Sequence, residues 1–306
     1  MIAATRTPHF VQLVRVSRCA PTAIATLLFA VAVAITGCST PQAPIIRAPS
    51  GTAASADVTA DRLDAVLRPD GKPVDVDALL LGEQHDAPEH HQIEQQVIAT
   101  LAARGVLAAV ALEMADAGAT TAALGPRASE AQTRLALNWQ DELWLWADYR
   151  EAVMAAVRAG VPVMGANLPA AQFKASMADS KLDAQLPGPA LKAQQQLIRL
   201  GHCNLLPESQ ITPMTRVQVA KDMRMARVLG EAAVPGKIVV LLSGSGHANR
   251  ELGVPQHLPV ALHAKSVLLL AGDGPDQDTA FDATWGTPAL PEVDYCASLR
   301  EPARSK

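Results

Sequence analysis

Two glycine-x-x-histidine turns stand far apart in this sequence, Gly82-Glu83-Gln84-His85 and Gly244-Ser245-Gly246-His247. Each follows an apolar run. Two further runs close on polar groups, one on Glu113-Met114 and one on Asn167-Leu168-Pro169. Imidazoles and carboxylates together can relay protons, stabilise a developing charge or hold a divalent metal. A carboxylate at the end of an apolar strand needs a partner or a task, because burying it alone is costly. His85, His247, Glu83, Glu113 and Asn167 are therefore the candidate site. The plainer reading of the same residues is hydrogen-bonded structural histidines and an arginine partner for Glu113.

The chain has ten aromatic residues, and Trp139, Trp144, Trp146 and Tyr149 fall within eleven positions. Tyr149 is in register with Val153 and Val157 on a helical face. The cluster reads equally as an aromatic mini-core and as a ligand-stacking surface.

The elements that must position these groups follow from hydrophobic pattern. Runs from Ala78 to Gly82, Ala108 to Glu113, Val161 to Ala166 and Ile238 to Gly244 predict strands, with a fifth from Ser266 to Ala271. Between them, residues 88 to 104 carry Ile93, Val97 and Leu101 on one stripe and end at Gly105. Residues 148 to 159 end likewise at Gly160, and a longer helix is predicted from Pro213 to Glu231, bearing Lys221, Arg224 and Arg227. Strands without alternation, separated by helices, predict an α/β fold with a mainly parallel central sheet covered by helices on both faces. Parallel strands share one carboxyl edge, where open α/β sheets bind ligands. Residues 115 to 147 and 170 to 212 break the rhythm and predict a helical cap over that edge. Asp86 is the expected N-cap of the helix that begins with Pro88, with Glu89 three residues on. His90 and His91, in its first turn, read as ordinary polar surface.

Ahead of the domain, Arg6, Arg15 and Arg18 precede an uncharged apolar run from Ala23 to Ile35, followed by Thr36-Gly37-Cys38. The run is too short to span a bilayer, and the order of basic, apolar and small residues predicts a lipoprotein signal peptide over residues 1–37 with Cys38 lipidated. Residues 38–60 read as a lipidated flexible tether and 61–306 as a single domain. Ser39 carries no charge that would retain the protein in the inner membrane, and the resemblance of this segment to Gram-negative lipoproteins implies an outer-membrane, periplasm-facing anchor. Without the leader, 23 basic residues face 30 acidic ones, which makes nucleic acid a poor partner. Cys203 and Cys296 remain, and two thiols in an oxidising compartment are expected to pair as a disulfide.

Leu79 to His91, including Leu80-Leu81-Gly82-Glu83-Gln84-His85-Asp86 and the His90-His91 pair, resembles the opening motif of the ChaN-like haem-binding lipoproteins. Later blocks follow in order: Ala111 to Met114, Trp146 to Arg150, Gly165 to Pro169, Gln218 with Asp222 and Met225-Ala226, then Gly246-His247 with Gly253-Val254-Pro255. The resemblance covers about residues 77 to 260. It implies a protein of haem or iron uptake that holds haem at a homodimer interface through a tyrosine. Tyr149 is the position that fits, since a phenolate can serve as axial ligand to ferric haem. Histidines would meet the propionates, with Lys221 and Arg224 as candidates from the third helix, and an outer-membrane haem or iron transporter is an expected partner. The same superfamily includes erythromycin esterases and the Tiki proteases. The alternative expectation is thus a hydrolase using Glu83 or Glu113 as base and His85 and His247 on a divalent metal or a developing charge. The sequence has no H-E-x-x-H or G-x-S-x-G signature to support it.

Overall fold

The computed structural model describes residues 52–71, 75–274 and 278–300. The expected leader and Cys38, the expected lipidation site, lie outside the described residues. Six strands form one sheet: β1 (Ala78–Glu83), β2 (Leu107–Asp116), β3 (Val163–Asn167), β4 (Ile238–Gly244), β5 (Ala264–Ala271) and β6 (Ala283–Thr287). Their order is β3-β2-β4-β1-β5-β6, and every neighbouring pair is parallel. The mainly parallel α/β architecture expected from the sequence is the one observed. β1 is buried along its whole length, as an unalternating apolar run between two parallel neighbours must be. The sixth strand escaped the sequence reading, because Ala-Thr-Trp-Gly-Thr at a sheet edge buries only Trp285 and lacks an apolar run.

The two faces of the sheet are covered separately. Helices α1 (Thr52–Leu67), α2 (Pro88–Ala103), α3 (Glu130–Ala136) and α4 (Trp146–Arg158) belong to one side. There Leu63, Ile98, Leu101, Val153 and Val157 pack over Leu79, Leu81 and Leu112. After α5 (Phe173–Ala178) and α6 (Gly188–Gly201) comes α7 (Glu208–Ala232), which sets Met225 and Leu229 against Leu80, Ala111 and Leu241 on the other side. Alternate residues of β1 thus enter opposite cores. Of the two irregular regions, one carries α3 and packs on α4, while α5 and α6 pack on α7.

Three boundaries differ from expectation. α1 is already helical at Thr52, within the stretch read as tether, because its alanines favour helix even though its serines and threonines look like linker. α7 starts at Glu208 and contains Pro213 rather than beginning there. Asp86 does not cap α2; the N-cap is Ala87, with no side-chain cap bond, and the Asp86 carboxylate instead accepts a 2.6 Å hydrogen bond from Tyr295. Cys203 and Cys296 form a disulfide with Cα atoms 5.8 Å apart, tying the C-terminal segment to the turn after α6.

Candidate functional site

The parallel register sets Glu83 of β1 beside Gly244 of β4, so both glycine-x-x-histidine turns leave the sheet at neighbouring points. An added Cβ on Gly244 would sit 2.9 Å from His85 Nε2. A side chain there would expel the imidazole, which is why the turn needs glycine. β4 also lies between β1 and β2, and the Gly244 N–H donates to Glu113 Oε2 at 2.9 Å.

From these positions an alternating series of acids and imidazoles runs along the sheet edge. His91 Nε2, on α2, lies 3.2 Å from Glu83 Oε2. His85 Nδ1 donates to Glu83 Oε1 at 2.7 Å, and its Nε2 lies 3.8 Å from Glu113 Oε2. Glu113 Oε1 is 3.2 Å from His247 Nε2, and His247 Nδ1 donates to Asp222 Oδ1 of α7 at 2.5 Å. The series therefore crosses from the α2 side of the sheet to the α7 side. His85 is the member with a solvent face, its side chain 31% exposed, whereas Glu83, Glu113, Asp222 and His247 are buried.

Burial opposes the charge on each of these groups, so their partners decide its state. Burial alone would raise Glu83, but His85 and then His91 outweigh it and hold its carboxyl well below the usual range. Glu113 is held low in the same way by His247, with His85 and Lys221 adding to it. Burial penalises the His247 imidazolium, yet Glu113 and Asp222 on its two sides push it up to about 10. A histidine so protonated donates from both nitrogens. His85 is also raised, against burial, by its bond to Glu83 and the field of Glu113. The centre can thus present a cationic N–H donor to an anionic ligand or pass a proton through Glu113.

Of the sequence-derived candidates, Glu83, His85, Glu113 and His247 converge. Asn167 does not join them; its Oδ1 accepts from the Leu168 N–H, folding back on its own chain. Lys221 reaches to 3.8 Å from Glu113, whereas Arg224 donates to Gln172 and lines a different cavity, with Arg227 and Glu231. Tyr149 is 1% exposed. Its hydroxyl donates to Glu83 Oε1 at 2.8 Å, with the rings of Trp139 and Trp144 packed against it. Burial, then the carboxylates around it, raise its phenol pKa, so in this arrangement it is a neutral donor inside the aromatic core. The reading of His90 and His91 as polar surface is corrected: both are buried, because α4 covers the face of α2 from which His91 projects against Tyr149. His90 accepts from the Gln84 N–H through Nδ1 and meets Thr287 through Nε2; burial lowers it to about 4, as suits a neutral clamp between β1, α2 and β6.

Sequence reasoning also missed Asp222 as the partner of His247, and Tyr295. Asp222 is four residues beyond Gln218 on α7, a spacing that places both toward His247. Tyr295 lies beyond the quoted motifs, next to the disulfide-bonded Cys296, and reaches the edge through its bond to Asp86. There it accepts from Gln84 and lines, with His85, Gly246 and the Leu268 to Leu270 stretch, a cavity of about 510 Å³.

An all-parallel open sheet with an acid–imidazole series along its carboxyl edge, beside a cavity, defines an α/β ligand-binding protein. This chain belongs to the family described as haem-binding uptake, Tiki superfamily, ChaN, which matches residues 73–258. The solved structure of ChaN of Campylobacter jejuni, titled for its cofacial haem binding, is 24% identical, with a TM-score of 0.58 over 74% of this chain and 89% of that one. The type III effector HopBA1 is 18% identical over 70% of this chain and 88% of its own, with a TM-score of 0.41, too remote to carry an argument. No curated protein matches the chain.

Proposed function

We propose that this protein binds haem at the carboxyl edge of the sheet and serves haem or iron uptake, anchored to the outer membrane through Cys38. The observation that carries this reading is that, in a chain of the haem-binding family, both glycine-x-x-histidine turns line one cavity of about 510 Å³, a volume typical of small-molecule sites. The residues fit the group chemically. Leu268 to Leu270 offer an apolar wall, and His85 is a raised, partly exposed imidazole able to meet a propionate. Bound haem supplies a ferric iron that accepts a phenolate oxygen. Tyr149 is the proposed donor, and its use requires the segment bearing Trp144 to lift from the phenol. That segment carries Leu143 and Leu145, both well exposed, and Leu135 nearby is 82% exposed; this apolar rim suits a homodimer that encloses the ligand.

Haemin titration of the mature domain tests the reading. A Soret band with a high-spin ferric spectrum is expected, abolished in Tyr149→Phe and retained in Tyr295→Phe. Loss in Tyr295→Phe alone would move the ligand to the C-terminal segment, and no band in the unaltered protein would remove haem.

A second reading, a His/Glu-dependent hydrolase, is favoured by one observation: Glu113 stands between two imidazoles, His85 at 3.8 Å and His247 at 3.2 Å. Hydrolysis of nitrophenyl esters that Glu113→Gln abolishes would support it.

A further inference from the structure

Behind the acid–imidazole series lies a second polar group that neither reading uses. Glu94 is completely buried on α2, and neither of its carboxylate oxygens has a hydrogen-bond partner; Glu83 Oε2 and His91 Nε2 are likewise without one. Glu83 Oε1 is already taken by His85 and Tyr149, so its second oxygen is left facing His91 and Glu94. His91 Nε2 and Glu83 Oε2 face each other at 3.2 Å, but neither oxygen of the buried Glu94 carboxyl has a donor, which is costly for a buried polar group. Among the described residues no lysine or arginine forms an ion pair with Glu83 or Glu94. One ligand atom from each of Glu83, His91 and Glu94 lies within 4.8 Å of the other two.

We infer that Glu83, His91 and Glu94 form a site for one divalent transition-metal ion, beneath the cavity and separate from His247. His91 and Glu94 are three residues apart on one helix, the spacing by which carboxylate and imidazole meet a common ion in helical metal sites. Tetrahedral zinc-type bonds of about 2.1 Å put ligand atoms about 3.4 Å apart, so the widest separation in the trio has to close by at most about 1.4 Å. A nitrogen donor with two carboxylates selects a zinc- or manganese-like ion over calcium, which takes oxygen alone. Such an ion would pin α2 to the end of β1 and, through Glu83, fix both His85 and Tyr149.

The competing occupant is a proton shared between Glu94 and Glu83. Glu94→Gln separates the two, because its amide reproduces a protonated carboxyl as donor but is a poor metal ligand. Chelator-stripped full-length protein should retain one equivalent of Zn²⁺ after gel filtration and melt at a higher temperature with it. Glu94→Gln should match the metal-free melting temperature of the unaltered protein while binding Zn²⁺ more than about 10-fold more weakly. Mn²⁺ on the unaltered protein should show a single imidazole nitrogen by pulsed electron paramagnetic resonance, a readout that needs no variant. Absence of stoichiometric ion and of a melting shift, or equal binding by Glu94→Gln, would overturn the site. Haemin is absent from these measurements, so their outcome is independent of the haem titration.

Discussion

His247 shows how far a single residue's chemistry depends on what flanks it. Its ordinary value of 6.5 is pushed up to about 10 because Glu113 and Asp222 stabilise the imidazolium more than burial penalises it. A raised folded-state pKa means that the stabilisation is complete below pH 6.5 and is lost as pH rises toward about 10. The melting temperature of the unaltered protein should therefore fall across that window, whereas His247→Gln, less stable at pH 6, should lack this alkaline decline. A parallel decline in the variant would show that another group titrates. From the residue list alone, His247 and Glu113 were legible as candidates for one edge, since each stands at or just beyond the end of an apolar strand. His91 and Glu94 were not. They share a helix with the stripe of Ile93, Val97 and Leu101, and only the packing of α4 reveals that the polar flank of that stripe is also covered.

Among the elements, β1 and β4 exit the sheet side by side, and their glycines are not interchangeable. A Cβ on Gly244 meets the end of the His85 side chain at 2.9 Å, while one on Gly82 meets Ser245 Cα and Ala248 Cβ, each at 2.9 Å. A side-chain tip can swing away; backbone cannot. Gly244→Ala should therefore fold, with a melting temperature lowered by no more than about 4 °C, and move His85 off its carboxylates, so that its imidazole titrates closer to its ordinary value in NMR. Gly82→Ala should cost about 1–3 kcal/mol from overpacking and lower the melting temperature outright. Equal effects from the two would mean that His85 is not held where described. Both strands could be recognised from their apolar runs. Their adjacency could not, because 161 positions separate Glu83 from its partner Gly244 and nothing local encodes that pairing.

For the molecule as a whole, the Cys203–Cys296 bridge spans 93 residues and brings Tyr295 over the cavity, where it donates to Asp86. Replacing both cysteines by serine should remove about 2–4 kcal/mol of stability, read as roughly 2–4 °C for each kcal/mol, and should make the segment after Thr287 the first site of limited proteolysis. An unchanged cleavage pattern would show that Tyr295 and its neighbours hold the segment without the bridge. Pattern and composition were enough to determine the fold class and to name four candidate residues that the structure brings to one edge, because burial periodicity and turn chemistry are local properties of a chain. Which histidine faces solvent, which is held charged, that Tyr149 points inward, and that Glu94 meets Glu83 were settled only when helices from opposite faces met at one edge. Side-chain electrostatics depend on neighbours brought from far along the chain, and distance along a sequence does not measure distance in space.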